Sequence, residues 1–183
     1  DDALEKAKKK VDGIEATIGY INVFASLFND KDYIRTVLDD IVDDAQFTKE
    51  FVILATAYKN YCLDEEKCRE LIETGTQYAM KGDEFLELAK AHWLLFGDKI
   101  ASSDCYEKGL KDISDKTALL GYAKSIAIDL ENIELAKKFY KSVENKTTNI
   151  RDFISLANAV INDLNDLVYA DLVYHAAENQ LHS

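Results

Sequence analysis

Residues Glu84–Ile113 read EFLELAKAHWLLFGDKIASSDCYEKGLKDI, and the remainder of the chain is a set of variations on this stretch. Two helical segments meet at Gly97-Asp98. On the first, Phe85, Leu88, Ala89 and His92 fall at i, i+3, i+4 and i+7, which is one stripe of an α-helix. The second places Ser102, Tyr106 and Gly109 on one face. One constant step carries Ala89 forward to Ala123 and Ala157 and back to Ala55. The same step carries Asp98 to Asp30, Asp64, Asn132 and Asp166. Five Asp or Asn residues at one fixed interval mark a structural repeat.

The interval sets the layout. Five equal blocks follow the first thirteen residues and use up all 183: 14–47, 48–81, 82–115, 116–149 and 150–183. The expectation is an all-α chain, 1–183 forming a single repeat domain, with a first helix A and a second helix B in each block. The A stripe recurs as Phe51, Leu54, Ala55, Tyr58, as Leu119, Tyr122, Ala123, Ile126, and as Phe153, Leu156, Ala157, Val160. The first block diverges most, with Thr17, Tyr20, Ile21 and Phe24. Each B helix begins at the recurring Asp or Asn, whose side-chain oxygen accepts from free first-turn amides and contributes about 1 kcal/mol.

Four residues after the cap comes a small residue (Cys68, Ser102, Ala136, Ala170), with Ile34 the exception. Four further stands a bulky one: Leu38, Ile72, Tyr106, Tyr140 and Tyr174. Three beyond, the slot is again mostly small, at Gly75, Gly109, Val143 and Ala177. Small residues let helix axes approach, and the bulky side chain fills the space between layers. A two-helix unit cannot bury its apolar face alone, so neighbours must cover it. Residues 1–13 fall in the B register, with Leu4 and Ala7 in the slots of Leu38 and Ile41. They read as a lone helix or half repeat, giving about eleven helices.

Phe85-x2-Leu88-Ala89-x2-His92 and Ala136-x3-Tyr140 resemble the tetratricopeptide repeat pattern, W-x2-L-G-x2-Y…A-x3-F…P, in period, order and residue class. The likeness runs through essentially the whole chain. The family's late Pro has no counterpart, since the chain contains no Pro, and the A helix reads one residue longer. The resemblance implies a right-handed superhelical solenoid of antiparallel helix pairs and a function in protein–protein interaction. It also implies an inner groove lined by A-helix positions one, four and five residues after the Gly/Ala slot.

Carried onto this chain, the first set of groove positions is Asn22, Thr56, Lys90, Lys124 and Asn158. The second is Ala25, Lys59, Trp93, Ala127 and Ile161, and the third Ser26, Asn60, Leu94, Ile128 and Asn162. None is acidic, although Asp and Glu together number 34 in the chain. Ammonium and amide donors beside one Trp suit an acidic or carboxylate-bearing peptide. The expected partner-binding residues are therefore Asn22, Thr56, Lys59, Asn60, Lys90, Trp93, Lys124, Asn158 and Asn162.

Composition bounds the remaining classes. A net charge of −12 argues against a phosphate-backbone binder, so nucleic acid is not an expected partner. No apolar run approaches the ~18 residues that a membrane span requires. The opening DDALEKAKKK shows no secretory signal, and the absence of an initiator Met points to a processed chain or one cut from something longer. Three Cys at scattered spacing define neither a disulfide framework nor a metal site and favour a reducing, cytoplasmic setting.

No catalytic constellation, cofactor site or metal site is expected, and the chain reads as a non-enzyme. His92 occupies a core slot shared with Tyr58, Ile126 and Val160, where a satisfied imidazole is the natural reading. His175 sits in a surface slot and His182 at the end. Cys62, Cys68 and Cys105 take interior slots, where thiols behave as small hydrophobes. Asp39-Asp40 and Asp43-Asp44 lack the mid-loop Gly and alternating oxygens of a calcium loop.

The last B helix turns apolar at Val168 and Leu172, where most earlier blocks carry charge. A terminal repeat ordinarily keeps a polar outer face. An apolar one implies cover, by further repeats beyond the ends, a partner or a second copy. The function that follows is capture of a peptide or helix in the concave groove. The alternatives are a scaffold associating through its terminal repeats at Val168 and Leu172, and the sensor arm of a longer regulatory protein.

Overall fold

A computed structural model describes residues 12–28 and 30–179. Ten α-helices and no strands occur among them. They are α1 (Ile14–Phe28), α2 (Lys31–Asp39), α3 (Thr48–Ala57), α4 (Glu65–Tyr78), α5 (Gly82–Phe96), α6 (Lys99–Leu110), α7 (Lys116–Ile128), α8 (Ile133–Asn145), α9 (Ile150–Leu164) and α10 (Leu167–Asn179). The odd-numbered helices begin at 14, 48, 82, 116 and 150, and the even-numbered at 31, 65, 99, 133 and 167. Both series advance by the constant step read in the sequence. The helix expected over 1–13 lies outside the described residues except for Asp12 and Gly13, which are not helical.

The turn recurs in four of the hairpins as well. Leu63, Gly97, Glu131 and Asn165 all adopt positive φ, between 51° and 65°. They stand one residue before the caps Asp64, Asp98, Asn132 and Asp166. The backbone N–H of Asp64 donates to the Tyr58 carbonyl, that of Asp98 to His92 and that of Asn132 to Ile126, at 3.1–3.2 Å. Each bond reaches six residues back and satisfies one of the last carbonyls of the preceding helix. The same residue then starts the next helix with its side chain. Asp30 accepts from the amide of Tyr33, Asp64 from Lys67, Asp98 from Ala101, Asn132 from Leu135 and Asp166 from Tyr169.

The chain divides into two compact units, one ending at Cys105 and the other beginning at Tyr106, a boundary inside α6. In the first unit α1 packs on α2 and α3, and α3 packs on α4 and α5. A 3₁₀ turn, Val42–Asp44, follows α2, and a π-helical turn, Tyr58–Cys62, extends α3. The interior is built from the stripes read above: Ile21, Leu54, Ala55, Tyr58, Leu88 and Ala89 of the odd-numbered helices and their extension are buried, as are Ile34, Leu38, Cys68 and Ile72 of the even-numbered ones. Gly75 lets α4 approach α3 closely, since a Cβ there would lie 3.0 Å from the Cβ of Phe51. Buried hydroxyls are matched, with Thr48 Oγ1 donating to the Gly75 carbonyl (3.1 Å) and Ser102 Oγ to the Ala89 carbonyl (2.7 Å).

In the second unit α8 packs on α7, α9 covers both, and α10 packs on α9. Leu119, Ala123, Ile126, Ala136, Phe139 and Tyr140 form the first layer, and Leu156, Ala157, Val160, Ala170 and Val173 the next. The Tyr106 ring meets Phe139 edge-on at 6.1 Å. The Tyr140 hydroxyl donates to Asp163 Oδ2 at 2.5 Å, and burial followed by that carboxylate holds the phenol well above its ordinary range.

Candidate functional site

The expected groove residues of the first unit do not all gather in one place. Asn22 on α1, Thr56 on α3 and Asn60 in the π turn line a depression of about 330 Å³, together with Ile18, Val52, Ile53, Ala57 and Tyr61. No acidic side chain lines it. Tyr61 reaches across to donate its hydroxyl to Asn22 Oδ1 at 2.6 Å, and Thr56 Oγ1 donates back to the Val52 carbonyl at 2.8 Å. Val52 and Ile53 supply an apolar floor one turn N-terminal to the polar residues.

Lys59, although adjacent to Asn60, is not part of that lining. The π turn adds a residue to the helical circuit, and Lys59 Nζ lies 5.3 Å from the centroid of the Phe96 ring. Arg69 approaches the same ring at 4.3 Å, so two cations share one aromatic ring. Lys90 is exposed on α5. Trp93 is half-buried, with Lys99 Nζ 5.6 Å from its centroid. In the second unit, Lys124 is exposed on α7. Asn158 accepts from the Tyr174 hydroxyl at 2.8 Å, and Asn162 is exposed on α9. Asn22 and Asn158 occupy equivalent slots four repeats apart, and both receive a tyrosine hydroxyl.

Ile18, Val52 and Tyr61 were not among the expected site residues. Ile18 and Val52 stand one repeat apart and one helical turn before Asn22 and Thr56, so extending the slot set by a turn would have reached them. Tyr61 stands one residue beyond the slot at Asn60 and lay outside all three sets.

Two ion pairs are related by the same interval. Arg35 reaches Asp64 at 2.7 Å in the first unit, and Lys137 reaches Asp166 at 2.8 Å in the second. Each cation sits four residues into an even-numbered helix and pairs with the cap of the following one. The amide of Lys67 and then the Arg35 guanidinium hold the Asp64 carboxyl below its ordinary range. For Asp166 the Lys137 ammonium acts first and the Tyr169 amide second.

His92 is half-buried, and burial lowers its pKa, so the imidazole is neutral at pH 7. His175 is exposed and held above its ordinary range by Glu178 and Asp171. Cys68 and Cys105 are buried and Cys62 half-buried, a departure from the interior slot expected for Cys62. The π turn places Cys62 at the helix end. Burial raises the thiols of Cys62 and Cys68, which lowers their reactivity. Asp39 accepts from the Tyr58 hydroxyl at 2.5 Å.

Val168 and Leu172 are 76% and 63% exposed, with Leu167 beside them at 65%. No described helix is long and apolar enough to cross a membrane. No family model, no curated protein and no solved structure matches the chain.

Proposed function

We propose that the chain is a tetratricopeptide-like helical repeat, a right-handed solenoid of antiparallel helix pairs, acting as a non-enzymatic module that captures an acidic peptide or helix of another protein. The equal advance of both helix series supports the repeat reading. The observation that carries the binding reading is the depression between α1 and α3. It combines an apolar floor with Asn22, Thr56 and Asn60, and no acid enters it in a chain of net charge −12. An extended or helical segment lays apolar side chains on Val52 and Ile53 and meets amide donors at the rim.

Selection of a displayed random-peptide pool against the folded protein tests this. The expected result is enrichment of Asp- and Glu-bearing sequences whose binding is lost in the Thr56→Glu, Asn60→Glu double variant at an unchanged melting temperature. Selected peptides without acidic bias, or equal binding by the folded double variant, contradict the proposal.

A scaffold reading draws on one observation, the exposed Leu167, Val168 and Leu172 on α10. It requires a mass that rises with concentration in light scattering and returns to the monomer value in Leu172→Lys. A monomer at all concentrations removes it.

A further inference from the structure

One slot of the repeat holds a cation at Arg35, Arg69 and Lys137, each four residues into an even-numbered helix. Arg35 and Lys137 pair with the cap of the following even-numbered helix, Asp64 and Asp166. The corresponding cap for Arg69 is Asp98, but Arg69 is turned elsewhere. Its guanidinium lies 4.3 Å from the Phe96 centroid, and its Nη2 donates to Glu65 Oε1 at 2.7 Å. The neighbouring slot differs too. Phe96 stands where the other repeats carry Cys62, Leu130 and Leu164, none of which offers an aromatic face to a cation.

The same ring draws a second cation. Lys59 Nζ lies 5.3 Å from its centroid and makes no ion pair among the described residues. Glu65 feels both charges: Arg69 first, and Lys59 after it, hold its carboxyl below the ordinary range. Lys59 and Phe96 are half-buried, and a charge-assisted hydrogen bond gains strength where water is partly excluded. Glu65 and Arg69 are 60% and 50% exposed, and an exposed pair of this kind is weakly held. Glu65 is therefore an internal example of a ligand that the two cations and the ring can exchange.

We propose that Phe96, Lys59 and Arg69 form a receiving site for a side-chain carboxylate of an acidic protein segment, and that Glu65 occupies this site in the free protein. An incoming glutamate or aspartate takes the place of Glu65 on Arg69 and bonds Lys59 as well, a contact that Glu65 does not make. Charge sets the class of occupant, because two cations converge on one ring in a chain of net charge −12. None of the three residues lines the depression between α1 and α3, so this site stands apart from peptide capture there.

The probe is tetraglutamate, acetylated and amidated, titrated into the full chain at about 20 mM ionic strength to limit screening, with the Arg69 Nε–Hε signal followed by NMR. A saturable shift is expected, with a midpoint near 1 mM. Glu65→Gln removes the resident carboxylate and lowers the midpoint by about threefold. Phe96→Leu installs the side chain found at Leu130 and Leu164, and raises the midpoint by about fivefold while the protein stays folded. No saturable shift by about 10 mM, an equal response to tetraglutamine or to inorganic phosphate, or no tightening in Glu65→Gln overturns the proposal. So does an unchanged midpoint in folded Phe96→Leu. The titration and the peptide selection fail independently of each other.

Discussion

Leu63, Gly97, Glu131 and Asn165 show how one backbone conformation is met by four different side chains. A left-handed residue with a Cβ costs about 1–2 kcal/mol, which glycine avoids. Leu63 is 70% exposed, so its side chain contributes little packing to offset the strain. Leu63→Gly is expected to stabilise by about 0.5–1 kcal/mol in urea denaturation, after the greater unfolded-state freedom of glycine is deducted. Gly97→Ala is expected to cost about 1–2 kcal/mol; its new methyl would meet nothing within 4 Å, so the loss is the backbone's alone. The cap residues titrate with a definite sign. Asp64 and Asp166 have folded pKa values below their unfolded ones, so their contribution is complete above the unfolded value of about 3.9 and is lost as pH falls through the folded value. Asp64→Asn keeps a capping oxygen and removes the titration. Its stability is expected to fall less than that of the parent between about pH 5 and pH 2.5 in urea melts. The caps were readable because the Asp/Asn recur. The left-handed position before them was readable at Gly97, but not at Leu63 or Glu131, whose residue types argue against it and where only the register gives it away.

Within a hairpin, the two helices start by different rules, and only one of them was visible in the sequence. All five even-numbered helices use the recurring Asp or Asn. Among the odd-numbered helices, α3 and α5 use a glutamate in the first turn that reaches back: Glu50 accepts from the amides of Gln46 and Phe47, and Glu84 from Met80 and Lys81. In α7 and α9 the cap lies before the helix, where Asp115 accepts from Thr117 and Ala118 and Asn149 from Asp152. Two chemistries at two positions cancel in a search for one recurring residue type. The packing slots were legible because volume is conserved there, as with Ser102 and Ala136. Ala136 is fully buried between α8 and its neighbours, and Ala136→Glu is expected to cost several kcal/mol through an unpaired carboxylate. Tyr140→Ala is expected to cost about 3 kcal/mol or more by thermal denaturation, from lost packing and an abandoned Asp163. The bulky slot at Tyr140 could be read in advance; its partner Asp163, on α9, was not among the residues singled out, although Asp129 stands one step earlier and acts on Tyr106. The π turn had no signal in the sequence, and Lys59 and Asn60 within it face different neighbours.

At the scale of the whole chain, period and charge carry most of what the sequence offers. The period places helix starts to the residue, at 14, 48, 82, 116 and 150 in one series and at 31, 65, 99, 133 and 167 in the other. Charge was informative by exception: acids are plentiful, yet the lining between α1 and α3 contains none. Which slots converge on that lining depends on local winding, so Asn22, Thr56 and Asn60 meet there while Lys59 turns to Phe96. The central claim is that equal steps along the chain produce equivalent hairpins, turn included. Backbone NMR of the intact protein tests it most directly, through amide–α-proton couplings and Cα shifts at the four turn positions. The account predicts left-handed φ at Leu63, Gly97, Glu131 and Asn165 alike, each flanked by helix on both sides. Helical or extended values at Leu63 and Glu131 would contradict it.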